Sequence, residues 1–147
     1  MIRILLCAIA LAWSGATWAQ PPTPAGLWTT FSDSTGKPEG LVQIEERDGE
    51  FVGTVVKIFS TTEPDPVCDQ CEGELKNRPV VGMTILRGLR GLGGLGGEYD
   101  GGTILDPDEG RTYRCSTRLL DGGRKLEVRG YVGILLIGRT QIWARAE

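Results

Sequence analysis

The sequence predicts an all-β protein, a single antiparallel barrel of about eight strands, and three observations support this fold class. Glycine contributes 22 of the 147 residues, about twice the usual ~7%, and glycine in a helix costs ~1 kcal/mol relative to alanine. Short segments that alternate apolar and polar residues recur along the chain, separated by turn signals. No segment shows an amphipathic helical period. Closing the sheet would remove its exposed edges.

The N-terminal segment 1–19 is predicted to be a secretory signal peptide. Arg3 precedes an uncharged apolar run at 4–13, and small residues follow up to a cleavage site after Ala19. The run is too short for a membrane span, which needs about 20 apolar residues. We therefore expect an exported, periplasmic or secreted protein that does not span a membrane after cleavage. A proline-rich leader at 20–25, expected to be loose, precedes the barrel domain.

The barrel domain is predicted over residues 26–147. Asp48-Gly49 is typical of a type I′ hairpin turn, and the strand after it is rich in β-branched residues. Two segments are expected to be loops: 60–79, which contains prolines and mixed charge, and 87–102, where glycine is dense. The strands are expected at 26–31, 41–46, 51–59, 80–86, 103–105, 111–119, 125–132 and 134–143.

The glycine-dense segment contains a literal G-x-G-x-x-G at 91–96. That pattern binds a dinucleotide when it lies between a strand and a helix of a βαβ unit, and no helix is predicted after it. We expect a loop whose leucines Leu89, Leu92 and Leu95 tuck onto the domain. The alternative is that these leucines cap a barrel mouth or contact a lipid or a partner.

Three cysteines follow the predicted signal peptide: Cys68 and Cys71 in a C-x-x-C motif, and Cys115. Thioredoxin-like redox chemistry needs this motif at a helix N-terminus in an α/β fold. A structural zinc site needs four ligands, so a carboxylate or water would have to complete it. A disulfide is favoured in an exported protein. Each of the three possible pairings leaves one thiol, and the sequence does not choose between them.

Histidine is absent from the chain, which excludes the Ser-His-Asp triad and the Cys-His dyad. The carboxylates of Asp106, Asp108 and Glu109 lie in a turn with proline at its second position, and they lack the alternating offsets of a calcium loop. We predict a non-enzyme with no cofactor and no metal. An enzyme would have to use carboxylates, tyrosine or a cysteine thiolate.

The distribution of charge argues against a nucleic-acid partner. The net charge is −3, the first half of the chain is acidic, and the basic residues of the second half are scattered singly rather than clustered. We expect strands of the two halves to pair, so that their charges meet across the sheet.

Four blocks of the sequence together resemble DUF2147, an exported bacterial family of unknown function. The blocks cover nearly the whole chain after the predicted signal, in the right order and spacing. The resemblance implies a periplasmic, lipocalin-like β-barrel with no established activity, and the C-x-x-C with the later Cys115 looks like one subgroup. The blocks are GLW at 26–28, GELKNRPVVGMTILRGL at 73–89, GGTILDPDEGRTYRC at 101–115 and LEVRGYVGILLIGRTQIW at 126–143.

The Gly26-x-Trp28 segment also looks like the lipocalin pattern, in which the tryptophan closes one end of the barrel. A basic residue of the last strand then stacks on the ring, a contact worth ~0.5–2 kcal/mol. Arg139 and Arg145 are the candidate partners. We therefore predict that Trp28, with one of these arginines, is structural.

An eight-stranded barrel has room for one small ligand. Tyr113, Leu126 and Val128 are predicted to face the interior and to contact a small apolar or amphipathic ligand. The alternative is a cell-envelope structural or interaction protein without a ligand. No pattern in the sequence indicates an oligomeric state.

Overall fold

The computed structural model describes residues 19–59, 62–94, 96–133 and 137–147. Within these ranges, eight antiparallel strands pair in chain order, and β8 pairs with β1 to close a barrel. Single turns of 3-10 helix lie at Gly73–Leu75 and Asp121–Gly123. The strands are β1 (Gly26–Phe31), β2 (Pro38–Arg47), β3 (Glu50–Ile58), β4 (Thr84–Gly91), β5 (Glu98–Asp106), β6 (Arg111–Leu120), β7 (Lys125–Tyr131) and β8 (Gly138–Arg145).

The predicted all-β barrel is confirmed, and its interior follows from the alternation of side chains along each strand. In β2, Val42 and Ile44 are buried while Glu45 and Glu46 are exposed. The turn between β2 and β3 places Asp48 and Gly49 at φ 53° and 79°, which are the positive angles that a type I′ turn requires.

The predicted loop over 87–102 is wrong, because most of it belongs to the hairpin of β4 and β5. Its glycines interrupt the alternating pattern, and the strands therefore show no clear period in the sequence. Leu89 is fully buried in the core, Leu92 is exposed, and Leu95 lies outside the described residues. The G-x-G-x-x-G thus spans the end of β4 and a hairpin turn, a setting without the helix that a dinucleotide site requires.

Three other predicted strands differ from the described ones in their bounds. The fragment expected at 103–105 is part of β5, and the strand expected at 80–86 begins only at Thr84. Val80 and Met83 are nevertheless buried, so their apolar character reflects packing of the preceding loop. The last described strand is Gly138–Arg145, and residues 134–136 of the strand predicted there lie outside the described residues.

The two ends of the barrel carry different connections. Short turns join β2 to β3, β4 to β5 and β6 to β7 at one end, where the first strand also begins and the last strand ends. We call this the closed end. The other connections, including the long segment between β3 and β4, lie at the opposite or open end. No helix among the described residues combines the length and apolar character that crossing a membrane requires.

Candidate functional site: a cavity at the open end of the barrel

Trp28 fills the closed end of the barrel and is completely buried. Its indole Nε1 donates a hydrogen bond of 2.7 Å to the carbonyl oxygen of Pro24. The guanidinium carbon of Arg145 lies 4.2 Å from the ring centroid, because the pairing of β1 with β8 places these two residues opposite each other. This is the geometry of a cation–π contact.

The Arg145 guanidinium also connects β8 to two other segments, the turn between β6 and β7 and the residues before β1. It donates hydrogen bonds of 2.7 Å to Gly123, 2.8 Å to Ala25 and 2.9 Å to Thr23, each to a backbone carbonyl oxygen. A Cβ at Gly26 would lie 2.3 Å from Arg145 Nη1, and the φ of Gly26 is +135°. The glycine of the G-x-W segment therefore makes room for the arginine. The expectation of a loose leader is wrong for its last residues, which Arg145 holds.

The prediction that Arg139 could instead stack on Trp28 is wrong. Its guanidinium pairs with Asp33 at 2.8 Å and with Asp106 at 3.4 Å, both at the open end. Arg139 and Arg145 occupy opposite ends of β8, and a strand rises about 3.3 Å per residue. The two arginines are thus separated by most of the barrel's height.

The open end contains a cavity of about 590 Å³. Its deep wall includes Trp143, which is 2% exposed and whose indole donates to Gln141 at 3.1 Å. Residues of all eight strands contribute to the lining. The apolar part of the wall includes Val42, Val55, Ile85, Ile104, Val128 and Trp143.

Two of the three residues predicted to contact a ligand lie in the cavity wall, and the third does not. Tyr113 and Val128 line the cavity, whereas Leu126 is fully buried in the core beside the turn at the closed end and is not part of the wall. The Tyr113 hydroxyl donates to Glu109, and this hydrogen bond raises the pKa of Tyr113. Sequence reasoning missed Val42 and Val55, which the alternation in β2 and β3 could have placed on the inner face.

The mouth of the cavity is acidic. Its lining includes Glu39, Asp106, Asp108, Glu109 and one cation, Arg139. Asp106 accepts hydrogen bonds from the backbone N–H of Asp108 at 2.9 Å and of Glu109 at 3.2 Å, so this carboxylate organises the turn between β5 and β6. Burial, and then the charge of Asp106, raise the pKa of Asp108 against the opposing effect of Arg139.

The segment between β3 and β4 forms another part of the cavity wall through Pro66, Val67 and Val80. Val80 donates its backbone N–H to the Pro66 carbonyl oxygen at 2.9 Å. Cys68 and Cys71 are joined by a disulfide within this segment. We call residues 66–80 the disulfide loop.

The disulfide loop packs against the turn between β5 and β6. Cys68 Sγ lies 3.1 Å from the Pro107 carbonyl oxygen. A Cβ at Gly110 would lie 2.1 Å from the carbonyl oxygen of Gln70. The two connections therefore share one packed interface at the cavity mouth.

Cys115 is the remaining thiol of the barrel, and it is completely buried in β6. Burial, and then the charge of Asp100, raise the pKa of this thiol to about 12. A thiol with such a pKa is hardly ionised at neutral pH, and the thiolate is the reactive form. Within the described ranges, no group of three cysteines or carboxylates is arranged to hold a metal ion.

This geometry defines a class of protein, the lipocalin-like barrels. A solved structure described as "Protein HP1028 from the human pathogen Helicobacter pylori belongs to the lipocalin family" aligns with a TM-score of 0.73 and 21% identity. The alignment covers 86% of this chain and 84% of that chain.

The family is defined by a second comparison. The family model described as "Uncharacterized protein conserved in bacteria (DUF2147)" matches residues 26–145. The chain therefore belongs to the DUF2147 family, as the resemblance of its four blocks predicts. No curated protein matches the chain.

Proposed function

We propose that this protein is an exported binding protein that holds one small apolar or amphipathic molecule in the cavity at the open end. The observation that carries the proposal is the cavity itself, at about 590 Å³. Sites for small molecules have volumes of roughly 300–1,000 Å³ and mostly apolar walls with a few polar groups. The walls and the mouth of this cavity follow that description.

The physical basis of binding is the burial of apolar surface. Each methylene group that leaves water for an apolar wall gains about 0.8 kcal/mol. The closed barrel holds the wall in place before a ligand enters. The protein therefore loses little conformational entropy on binding. An alkyl chain inserted from the open end would point toward Trp143.

The proposed export rests on the N-terminal sequence and on the disulfide. Residues 1–18 lie outside the described residues, so the support is the pattern of a short apolar run followed by small residues. The disulfide between Cys68 and Cys71 fits an oxidising compartment. Cleavage after Ala19 is tested by the intact mass of the protein recovered from its host.

The proposed ligand is tested by native mass spectrometry of the protein purified from its own cell envelope. We expect a species heavier than the protein alone by the mass of one small molecule. A Gly130→Leu variant should lose this species. Gly130 lies in the cavity wall, and a Cβ there meets Ile104 at an ordinary 3.4 Å, so the larger side chain fills the cavity.

The matched control is Thr103→Leu, which adds a leucine at an exposed position of β5. This variant should keep the bound molecule. A wild-type protein that carries no small molecule from the envelope would contradict the proposal, as would equal occupancy of the wild type and Gly130→Leu.

A further inference from the structure

The charged groups at the cavity mouth are unbalanced. Arg139 is the cation among the described lining residues, and it already pairs with Asp33 and Asp106. Glu39 and Asp108 make no ion pair with any described residue, and both are exposed at the mouth. Among the described lining residues, four carboxylates therefore face one cation, and Arg111, which interacts with the Tyr113 hydroxyl, is not part of that lining.

Neighbouring carboxylates add to this negative charge. Asp108 faces Asp106 and Glu109 on its own turn, Asp69 from the disulfide loop and Arg139 from β8. Glu109 accepts a hydrogen bond from the neutral Tyr113 hydroxyl, which leaves its charge in place. Partial burial, and then the charges of Asp106, Asp69 and Glu109, raise the pKa of Asp108 against the opposing effect of Arg139.

The apolar cavity beneath these carboxylates restricts what the occupant can be. An anionic headgroup at the mouth would face Glu39, Asp108 and Glu109. A simple metal cation would leave the apolar wall unused, and the described residues offer no group of metal ligands. A molecule with an apolar chain and a cationic head satisfies both the wall and the mouth.

We propose that the ligand is a cationic amphiphile, whose alkyl chain fills the cavity and whose ammonium group lies among Glu39, Asp108 and Glu109. This inference rests on the proposed function and adds the charge of the ligand to it. Exposed ion pairs contribute about 0.2–1 kcal/mol each. The two pairs that the ammonium group would make with Glu39 and Asp108 therefore change the affinity by roughly five-fold. Chain burial supplies the remainder of the affinity.

The test compares three probes that share a dodecyl chain: dodecylammonium, dodecanol and dodecanoate. The two ionic probes are titrated below their micelle concentrations and dodecanol below its solubility limit, into the full protein, by calorimetry at neutral pH and low salt. We expect dodecylammonium to bind most tightly and dodecanoate least tightly. The preference for dodecylammonium should shrink as salt is added, because the carboxylates at the mouth are exposed.

The variant Glu39→Gln with Asp108→Asn removes the two unpaired carboxylates. It should weaken dodecylammonium binding by roughly five-fold and leave dodecanol binding unchanged. The control is Glu46→Gln with Asp48→Asn, which makes the same change in net charge at exposed positions of the closed end. This control should retain the wild-type preference.

The outcomes separate the two proposals. If all three probes bind with the same affinity, the cavity binds apolar chains but the inferred cationic head is wrong. Tighter binding of dodecanoate, or an equal loss of dodecylammonium affinity in the control variant, would also overturn the inference. Failure of all three probes to bind would overturn the proposed function and this inference together.

Discussion

At the scale of single residues, Trp28 and Arg145 show what the sequence predicts and where that prediction stops. The G-x-W segment near the start of the first strand is enough to single out Trp28. The choice between Arg139 and Arg145 depends on the register of β8 against β1, which pairs Trp28 with Arg145. A pairing between the first and last strands is too distant in the chain for a local pattern to predict.

The variant Arg145→Lys should lower the free energy of unfolding by about 1–3 kcal/mol. Lysine keeps the positive charge but lacks the planar guanidinium group. In Arg145 this group donates to three carbonyl oxygens and stacks on Trp28. Urea unfolding measures the change. The matched control Arg139→Lys alters an exposed ion pair on the same strand and should cost less than about 1 kcal/mol. Equal losses in the two variants would contradict the role of Arg145.

The variant Asp108→Asn should stabilise the protein at neutral pH. The pKa of this carboxyl is raised above 3.8 in the folded state, so the folded protein binds its proton more tightly than the unfolded chain does. Stability contributed by the protonated form is therefore lost as the pH rises through the folded pKa. The difference in thermal midpoint between variant and wild type should vanish below the unfolded pKa. A difference that persists there would refute this explanation.

At the scale of elements, the turn between β5 and β6 and the disulfide loop act as one unit. Gly110 forms the tightest of their contacts given above, since any side chain there would meet the Gln70 carbonyl oxygen. The disulfide between Cys68 and Cys71 and the hydrogen bond from Val80 to Pro66 hold the loop in the shape that the contact requires. We conclude that the cavity mouth depends on this contact.

The variant Gly110→Ala should destabilise the protein more than Gly36→Ala does. Both glycines have similar positive angles, φ +65° and +69°, but a Cβ at Gly36 meets nothing within 4 Å. The Gly36 variant therefore measures the cost of the backbone angle, about 1 kcal/mol. The Gly110 variant adds a steric cost of about 1–3 kcal/mol. Equal unfolding free energies would show that the loop does not press on this turn.

The elements themselves differ in how well the sequence predicts them. The hairpin of β2 and β3 follows from clear alternation and an Asp-Gly turn. The hairpin of β4 and β5 was missed because its glycines carry no side chain to mark a face. Leu89 and Leu92, which share that hairpin, have opposite burial, a difference that emerges only once the partner strands are in place.

At the scale of the whole molecule, closure of the barrel gives the two ends different roles. The closed end is filled by Trp28 and Arg145, while the open end contains the cavity with its acidic mouth. Two ion pairs join the acidic and basic halves of the chain: Arg90 with Glu50 on the neighbouring strands β4 and β3, and Arg139 with Asp33 at the open end.

The number of strands was predictable from the spacing of turns. The cavity was not, because its volume depends on which inward positions carry small residues. Gly130 and Val128 leave space beside Trp143, whereas Leu126 on the same strand is packed in the core. Such differences arise from the registers of several strands at once.

Fluorescence quenching tests whether an apolar ligand occupies the cavity beside Trp143 and away from Trp28. The probe is dodecanol brominated at its terminal carbon, because bromine quenches tryptophan only near contact. The chain from Gln20 retains Trp28 and Trp143 as its tryptophans. Variants Trp28→Phe and Trp143→Phe therefore separate the signal of Trp143, which lines the cavity, from that of Trp28, which does not.

We expect saturable quenching in Trp28→Phe, which keeps Trp143, and little quenching in Trp143→Phe. Adding Gly130→Leu to the first variant should abolish the quenching, and adding Thr103→Leu should not. Quenching of Trp28 alone, equal quenching of both tryptophans, or no saturable quenching at all would contradict the claim.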